Sequence, residues 1–309
     1  MRVIITGGTG LIGKALAARL SGEGHEPIVL TRDPEKAKPG LPPGVHAAGW
    51  DGKTGAGWSD LIDAGTTIVH LAGAGVADSR WTEERKREIR DSRVLSGAAV
   101  LAAIREAPER PRALLQSSAV GYYGPRGDEA IDENEPPGST FLAETCVEWE
   151  ESTRAAESLG IRRALLRTGL VLDAKEGALG KMLLPAKLGA NGPLGSGRQG
   201  FPWIHLEDEI GAIRFLLDRD DATGPFNLTA PNPVSQADFA RALGRVIHRP
   251  SFLPAPAFAL RLALGEMADM LLSGHFVVPK RLLALGYRFR FPDLDGALED
   301  LLLKPPPAS

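Results

Sequence analysis

Gly7, Gly10 and Gly13 recur at three-residue intervals, directly after the apolar run Val3 to Thr6 and directly before Leu11, Ile12, Ala15, Leu16 and Leu20. A strand, a glycine turn and a helix of 3.6-residue period are thereby predicted in succession. One glycine permits the tight turn, another lets a pyrophosphate approach the backbone, and a third allows close packing of helix on strand. The helix start adds amides and partial positive charge for the phosphates. The segment Thr6-Gly7-Gly8-Thr9-Gly10-Leu11-Ile12-Gly13 predicts a dinucleotide site in which Gly7, Thr9, Gly10, Leu11 and Ile12 meet the cofactor.

The second apolar run, Pro27 to Thr31, ends at Arg32, where an NAD-specific site would often place an acid for the ribose 2′-hydroxyl. A guanidinium instead suits a 2′-phosphate through charge-assisted paired bonds, so NADP(H) is expected in preference to NAD(H). The competing arrangement makes Arg32 a solvated surface residue and gives the ribose to Asp33. Asp51, after the expected third strand, either bonds the adenine or closes a turn.

Along the chain, apolar runs alternate with amphipathic stretches. After Val3 to Thr6 come Pro27 to Thr31, Thr66 to Ala72, a helix over 82–106, Ala113 to Ser118, a helix over 139–159, and a strand over 163–172. This is the rhythm of an α/β fold, a Rossmann-type doubly wound parallel sheet covered by helices on both faces. Glycines and prolines then crowd residues 177–202. Ser235-Gln236-Ala237-Asp238 opens a helix that runs to about Ile247. The apolar stretch Leu253 to Gly274 contains Arg261, Glu266 and Asp269, which argues against a membrane span and for a packed helix. A short strand over 287–291 and a frayed Lys304 to Ser309 tail are expected at the C-terminal end. The expected division is a dinucleotide-binding domain over 1–245, its Rossmann core about 1–172, and a smaller helical C-terminal unit over 246–309.

The net charge of −3 over 309 residues comes from interspersed acids and bases, so neither nucleic acid nor a membrane is an expected partner. The single cysteine, Cys146, excludes an internal disulfide and a thiolate metal cluster, and no metal site is expected. With no signal-peptide pattern at the N-terminus, the expectation is a cytoplasmic protein acting on a small molecule.

Together with the opening glycines, His70-Leu71-Ala72-Gly73, Ser117-Ser118-Ala119-Val120-Gly121-Tyr122-Tyr123-Gly124, Leu166-Arg167-Thr168-Gly169, Trp203-Ile204-His205-Leu206-Glu207-Asp208 and Phe226-Asn227-Leu228 carry a resemblance. The chain resembles an extended short-chain dehydrogenase/reductase of the sugar-nucleotide epimerase type. Trp149-Glu150, Gly195-Ser196-Gly197-Arg198-Gln199, Gly265-Glu266-Met267 and Pro279 narrow it to the atypical branch with a DUF1731 C-terminal domain. The resemblance implies that Leu71, Ala72, Gly73 and Ser117 join the cofactor site, and that the segment around Trp203 and His205 helps close a substrate pocket. A homodimer through two long helices is a further implication.

The family's catalyst is a tyrosine with a lysine four residues on, and here the sequence departs from it. Leu142 and Cys146 occupy the two positions, and no lysine lies between Lys86 and Lys175. The asparagine of the preceding helix is replaced too, with Arg93 as the candidate. What remains is Ser118 to orient a reacting oxygen and Tyr123 or Tyr122 as a substitute acid, against the alternative that Tyr122 packs and Tyr123 caps a turn. Arg198 could receive an anionic substrate, and His205 either lines the pocket or bonds the following helix start. The expected function is NADP(H)-dependent hydride exchange or epimerase-like chemistry on an unidentified substrate. The alternative is a non-catalytic NADP(H) sensor or partner-binding protein.

Overall fold

The computed structural model describes residues 1–303, and the expected frayed stretch Lys304 to Ser309 lies outside the described residues. Seven strands form one sheet: β1 (Arg2–Thr6), β2 (Glu26–Thr31), β3 (His46–Gly49), β4 (Thr67–His70), β5 (Ala113–Ala119), β6 (Arg162–Thr168) and β7 (Gly224–Leu228). Their spatial order is 7-6-5-4-1-2-3. The pairs β1–β2, β1–β4, β2–β3 and β4–β5 are parallel. The sheet is the Rossmann-type one expected. Its central strands are apolar without alternation because both faces are covered: Val3, Ile4, Ile5, Ile68 and Val69 have no exposed surface.

From β1 the chain winds to β2 and β3, whereas β4 opens the other half. The β1/β4 edge is therefore the point where strand order reverses, the place where open α/β sheets take ligands. Helix α1 (Leu11–Gly22) follows β1. Helix α2 (Glu83–Glu106) is capped by Thr82, whose hydroxyl accepts from the Arg85 amide at 3.1 Å. Helix α3 (Phe141–Glu151) is capped in the same way by Thr140, from the Ala143 amide at 3.2 Å.

The single helix expected over 139–159 breaks after Glu151 and resumes only for Ala155–Ser158. Ser152 donates its hydroxyl to the Trp149 carbonyl at 2.6 Å, and Thr153 donates to Gln116. Such side-chain bonds compete with the helical ladder. The strand expected over 163–172 also divides, into β6 and Leu170–Leu172, the latter leaving the main sheet to pair with Trp203–His205; the glycine between them is required, since a Cβ on Gly169 would sit 2.3 Å from the Pro202 carbonyl oxygen.

Two compact units emerge. The first contains Met1–Tyr122, Ser139–Arg167 and Ile210–Phe226; the second contains Tyr123–Gly138, Thr168–Glu209 and the chain from Asn227 onward. The first holds an apolar core around Ile4, Leu30, Trp50, Trp58, Ile68, Val100 and Leu114. The second has its own core, supplied by α4 (Gly177–Lys187), α6 (Gln236–Val246) and α8 (Leu294–Leu303), with Leu179, Trp203, Phe239, Leu243 and Leu298 at its centre. Helix α5 (Leu206–Asp218) belongs to both units in sequence. Ser235 and Asp238 form the expected reciprocal capping box of α6.

Two C-terminal expectations are corrected. The apolar stretch from Leu253 contains α7 (Ala257–Leu264), which ends at Gly265 with φ 63° and buries none of its residues. The stretch is not one packed helix: it packs only beyond α7, where Ala268 is fully buried and Leu271 and Leu272 are half-buried. No strand forms over 287–291; instead Asp208 captures the Arg290 and Phe291 amides at 2.7 and 2.8 Å, taking the place of a ladder.

Candidate functional site

In the first unit, the opening turn has the form a dinucleotide requires. Gly7 adopts φ 68°, and a Cβ there would lie 2.8 Å from the Leu71 backbone, so the turn abuts the end of β4. Gly13 is needed for packing, since its Cβ would meet the Gly7 carbonyl oxygen at 2.5 Å. Gly10 differs: the only neighbour of an added Cβ is the Gly7 oxygen, at 3.4 Å. The fold itself does not require glycine at that position, whereas close approach of a phosphate would. Gly10 is also the N-cap of α1 and supplies no capping side chain, leaving the first-turn amides for a ligand. These features fit a dinucleotide pyrophosphate. Thr9 and Gly10 are exposed, and Leu11 and Ile12 partly so.

The neighbouring loop is shaped by a buried polar chain that the sequence motif did not announce. Thr6 Oγ1 accepts from the Leu71 and Ala72 amides at 3.1 and 3.2 Å and lies 2.7 Å from His70 Nδ1. His70 Nε2 lies 3.3 Å from Ser96 Oγ, which itself donates to the Ser92 carbonyl. Burial lowers the His70 pKa to about 3, so the ring is neutral. Thr6 thus donates to Nδ1 while its lone pairs hold the loop amides. Arg93 adds a second brace, donating to the Ala74 carbonyl at 3.0 Å and to that of Ile89 at 2.8 Å.

At the end of β2, Arg32 is exposed, with no ion-pair partner among the described residues. Asp33 is the N-cap of the short helix Pro34–Ala37, accepting from the Lys36 amide at 3.0 Å. Asp51 is a turn residue: its carboxylate accepts from the Lys53 and Thr54 amides, each at 2.8 Å, and from the Thr54 hydroxyl at 2.9 Å. Those bonds hold its carboxyl below the usual range. Its geometry is that of a turn residue.

At the end of β5, Ser117 is half-buried. Ser118 is 2% exposed and donates its hydroxyl to Glu150 Oε1 at 2.7 Å. Arg167 closes a fork on the same carboxylate, Nε to Oε1 at 2.9 Å and Nη2 to Oε2 at 3.0 Å, and stacks its guanidinium 3.5 Å from the centre of the Tyr122 ring. Three elements, β5, α3 and β6, are joined through this buried pair. Glu150 and Arg167 were visible in the sequence only as motif letters; an acid on a helix face and an arginine in an apolar strand are the signals that could have paired them. Cys146 is buried beside Ser118 and Glu150, and burial first, then the Glu150 charge, pushes its thiol up to about 11.

In the second unit, Tyr123 has no exposed surface; its hydroxyl donates to Asn227 Oδ1 at 2.6 Å. Trp203, 1% exposed, packs within the unit's core. His205 is likewise enclosed: Nδ1 accepts from the Glu207 amide at 3.0 Å, the ring stacks on Phe291 at 3.9 Å, and Nε2 lies 3.5 Å from Asp300. Its Nδ1 is thus engaged at the start of α5. Arg198 is exposed and lines a cleft of about 390 Å³ with Asp128, Ser196, Gly197, Ser235, Ala237, Arg241 and Phe276. Glu209, 1% exposed, receives the Thr168 hydroxyl at 2.9 Å on one oxygen while the other has no partner. Burial raises its pKa to about 8.

Residues 3–229 match the NAD dependent epimerase/dehydratase family and residues 255–301 match a domain of unknown function, DUF1731. The chain is 39% identical over 308 residues to the Arabidopsis thaliana epimerase family protein SDR39U1 homolog, chloroplastic, covering 98% of this chain and 87% of that one. It is 36% identical to the Mus musculus epimerase family protein SDR39U1, covering 98% and 100%. A crystal structure of the human epimerase family protein SDR39U1 with NADPH superposes with a TM-score of 0.84 at 35% identity, over 97% of this chain and 99% of that one. A nucleoside-diphosphate sugar epimerase from Corynebacterium glutamicum gives a TM-score of 0.77 at 33% identity, over 98% of this chain but 58% of that one. The glycine turn, the strand order and these likenesses agree: the chain belongs to the NAD dependent epimerase/dehydratase family and carries a DUF1731 segment toward its C-terminus.

Proposed function

We propose that the protein binds NADP(H) in preference to NAD(H) and exchanges hydride with a small carbonyl or alcohol substrate. The observation that carries the cofactor preference is the end of β2, where Asp33 is engaged as a helix cap and Arg32 stands exposed. A guanidinium so placed suits a 2′-phosphate. The turn Gly7 to Gly13 and the uncapped start of α1 would hold the pyrophosphate, and Leu71 to Gly73 would pass beside the cofactor, positioned by Thr6, His70 and Arg93. When bound, the nicotinamide supplies hydride acceptance or donation. Ser117 and Ser118 at the end of β5 are the groups that would orient the reacting oxygen, Ser118 held in place by Glu150 and Arg167. The positive edge of the Arg198 cleft suits an anionic group. Calorimetry with NADPH and NADH tests the cofactor half, and NADPH oxidation across a carbonyl and nucleotide-sugar panel tests the reaction. Equal affinities would overturn the first, and no turnover of any member the second.

A second reading, binding without catalysis, is favoured by the engagement of the groups that might move a proton. Ser118 is bonded to Glu150, Tyr123 to Asn227, and Cys146 keeps its proton to about 11. A substrate whose turnover collapses in Ser118→Ala while NADPH affinity is retained would eliminate this reading.

A further inference from the structure

The first part of the apolar stretch, expected to pack, does not, and its surroundings say what covers it. Leu184 and Leu188 at the end of α4, Phe252 and Leu253 in the proline-rich linker, and Phe258 and Leu262 one turn apart on α7 are between 56% and 80% exposed. The two chain stretches are joined. Arg249 donates to the Lys187 carbonyl at 3.1 Å and the Ala255 amide to the Pro193 carbonyl at 2.9 Å. Gly192 runs so close to Leu253 that a Cβ would lie 2.2 Å from the Leu253 oxygen. Protruding side chains of this size on one region are more than scattered surface apolarity.

Charge selects the occupant. Gly177 to Leu206 and Phe239 to Gly265 contain no Asp or Glu, yet they hold Lys181, Lys187, Arg198, Arg241, Arg245, Arg249 and Arg261, in a chain whose net charge is −3. Acids from outside these stretches meet three of them: Asp238 pairs with Arg241, Asp295 with Arg245 and Asp269 with Arg261. Lys187 and Arg249 have no acidic partner among the described residues and are exposed. Arg241, Arg245, His248 and Arg249 also line a concavity of about 530 Å³ that reaches Ser251, the neighbour of Phe252. A second copy of the chain would set this basic region against itself in a two-fold pairing. Phe and Leu projecting among Lys and Arg are instead the chemistry of an interfacial anchor, apolar groups entering the headgroup boundary and cations meeting lipid phosphates.

We propose that this face of the second unit binds peripherally to the surface of an anionic lipid bilayer. No helix among the described residues is long and apolar enough to cross a membrane, so the attachment is to the surface. The expectation of no membrane partner rested on the charge of the whole chain, which conceals the local excess.

The test is co-sedimentation of the full-length chain with phosphatidylcholine vesicles, with and without phosphatidylglycerol. Binding is expected to the anionic vesicles only and to weaken with added salt. Lys187→Glu and Arg249→Glu should each lower partitioning about fivefold or more, and Phe252→Ser should lower it too. All three sites are exposed, and unchanged NADPH affinity would confirm that each variant is folded. Absence of binding to anionic vesicles, equal binding to neutral ones, or charge-reversed variants that sediment like the parent would overturn the proposal. Concentration-dependent self-association abolished by Phe252→Ser, or capture of an acidic peptide with vesicles left unbound, would do so in favour of a protein occupant.

Discussion

Replacing Glu209 by Gln should flatten part of the pH dependence of stability. The carboxyl is 1% exposed, and its single bond, from Thr168, does not offset desolvation, so it keeps its proton in the folded state to about 8 against an ordinary 4.5. The unfolded chain releases that proton near 4.5, so between these values unfolding liberates a proton and stability falls as pH rises. Over the whole interval this amounts to about 4–5 kcal/mol at roughly 1.36 kcal/mol per pH unit. His70 acts in the opposite sense: its folded pKa is lowered from 6.5 to about 3, so its contribution is present above 6.5 and lost as pH falls. The two slopes oppose one another between 4.5 and 6.5. From pH 6.5 to 8 the Glu209 slope should stand clear, at about 1.5–2 kcal/mol. Raising pH further would bring in Cys146, which holds its proton to about 11 when folded. The assay is urea unfolding at several pH values from 6.5 to 8, for the parent and Glu209→Gln. The amide reproduces the neutral carboxyl's shape, so the variant should match the parent only below pH 4.5, exceed it already at pH 6.5 by about 2–3 kcal/mol, and exceed it further toward pH 8. Parallel curves for the two proteins would refute the reasoning.

Further outcomes follow from the first unit. Arg32→Asp should shift preference from NADPH toward NADH, read by calorimetry, with unchanged preference returning Arg32 to the ordinary surface. Gly10→Ala should keep the fold, since the added Cβ has room, yet weaken NADPH binding by tenfold or more (about 1.4 kcal/mol). Gly13→Ala should instead lower the melting temperature, because its Cβ would lie 2.5 Å from the Gly7 oxygen. Ser118→Ala removes one donor to Glu150 and should cost about 1–2 kcal/mol in urea unfolding. Arg167→Met leaves the buried Glu150 carboxylate unpaired and should cost about 3–5 kcal/mol; an equal cost for the two would mean that the fork is not what holds the site.

The parallel sheet was legible because β1, β2, β4 and β5 are unbroken apolar runs with helical periodicity between them, and the glycine turn because its context was complete. Arg32 and Asp33 were legible as a pair but not in their division of labour, which depends on which of them the following helix uses as a cap. Tyr123, Trp203 and His205 stand in motif positions, and their letters carry no information on burial; only the packing around Asn227, the second core and Phe291 decides it. Glu150 and Arg167 lie 17 residues apart on different elements, so their fork exists only once α3 and β6 are side by side. The broken helix after Glu151 was hidden because Ser152 and Thr153 find partners that are distant in sequence or locally ambiguous.

The DUF1731 segment is no bead threaded onto the end of the chain. Its Leu294, Ala297 and Leu298 share one core with Leu172 and Trp203, which precede it by about a third of the sequence. Change in either stretch is therefore felt by the other: a smaller residue at Trp203 would leave a void in the core that Leu294, Ala297 and Leu298 help to fill, and exchanging the segment between relatives should cost stability where the facing core residues do not match. The two family matches, separate along the sequence, should evolve as a single inheritance.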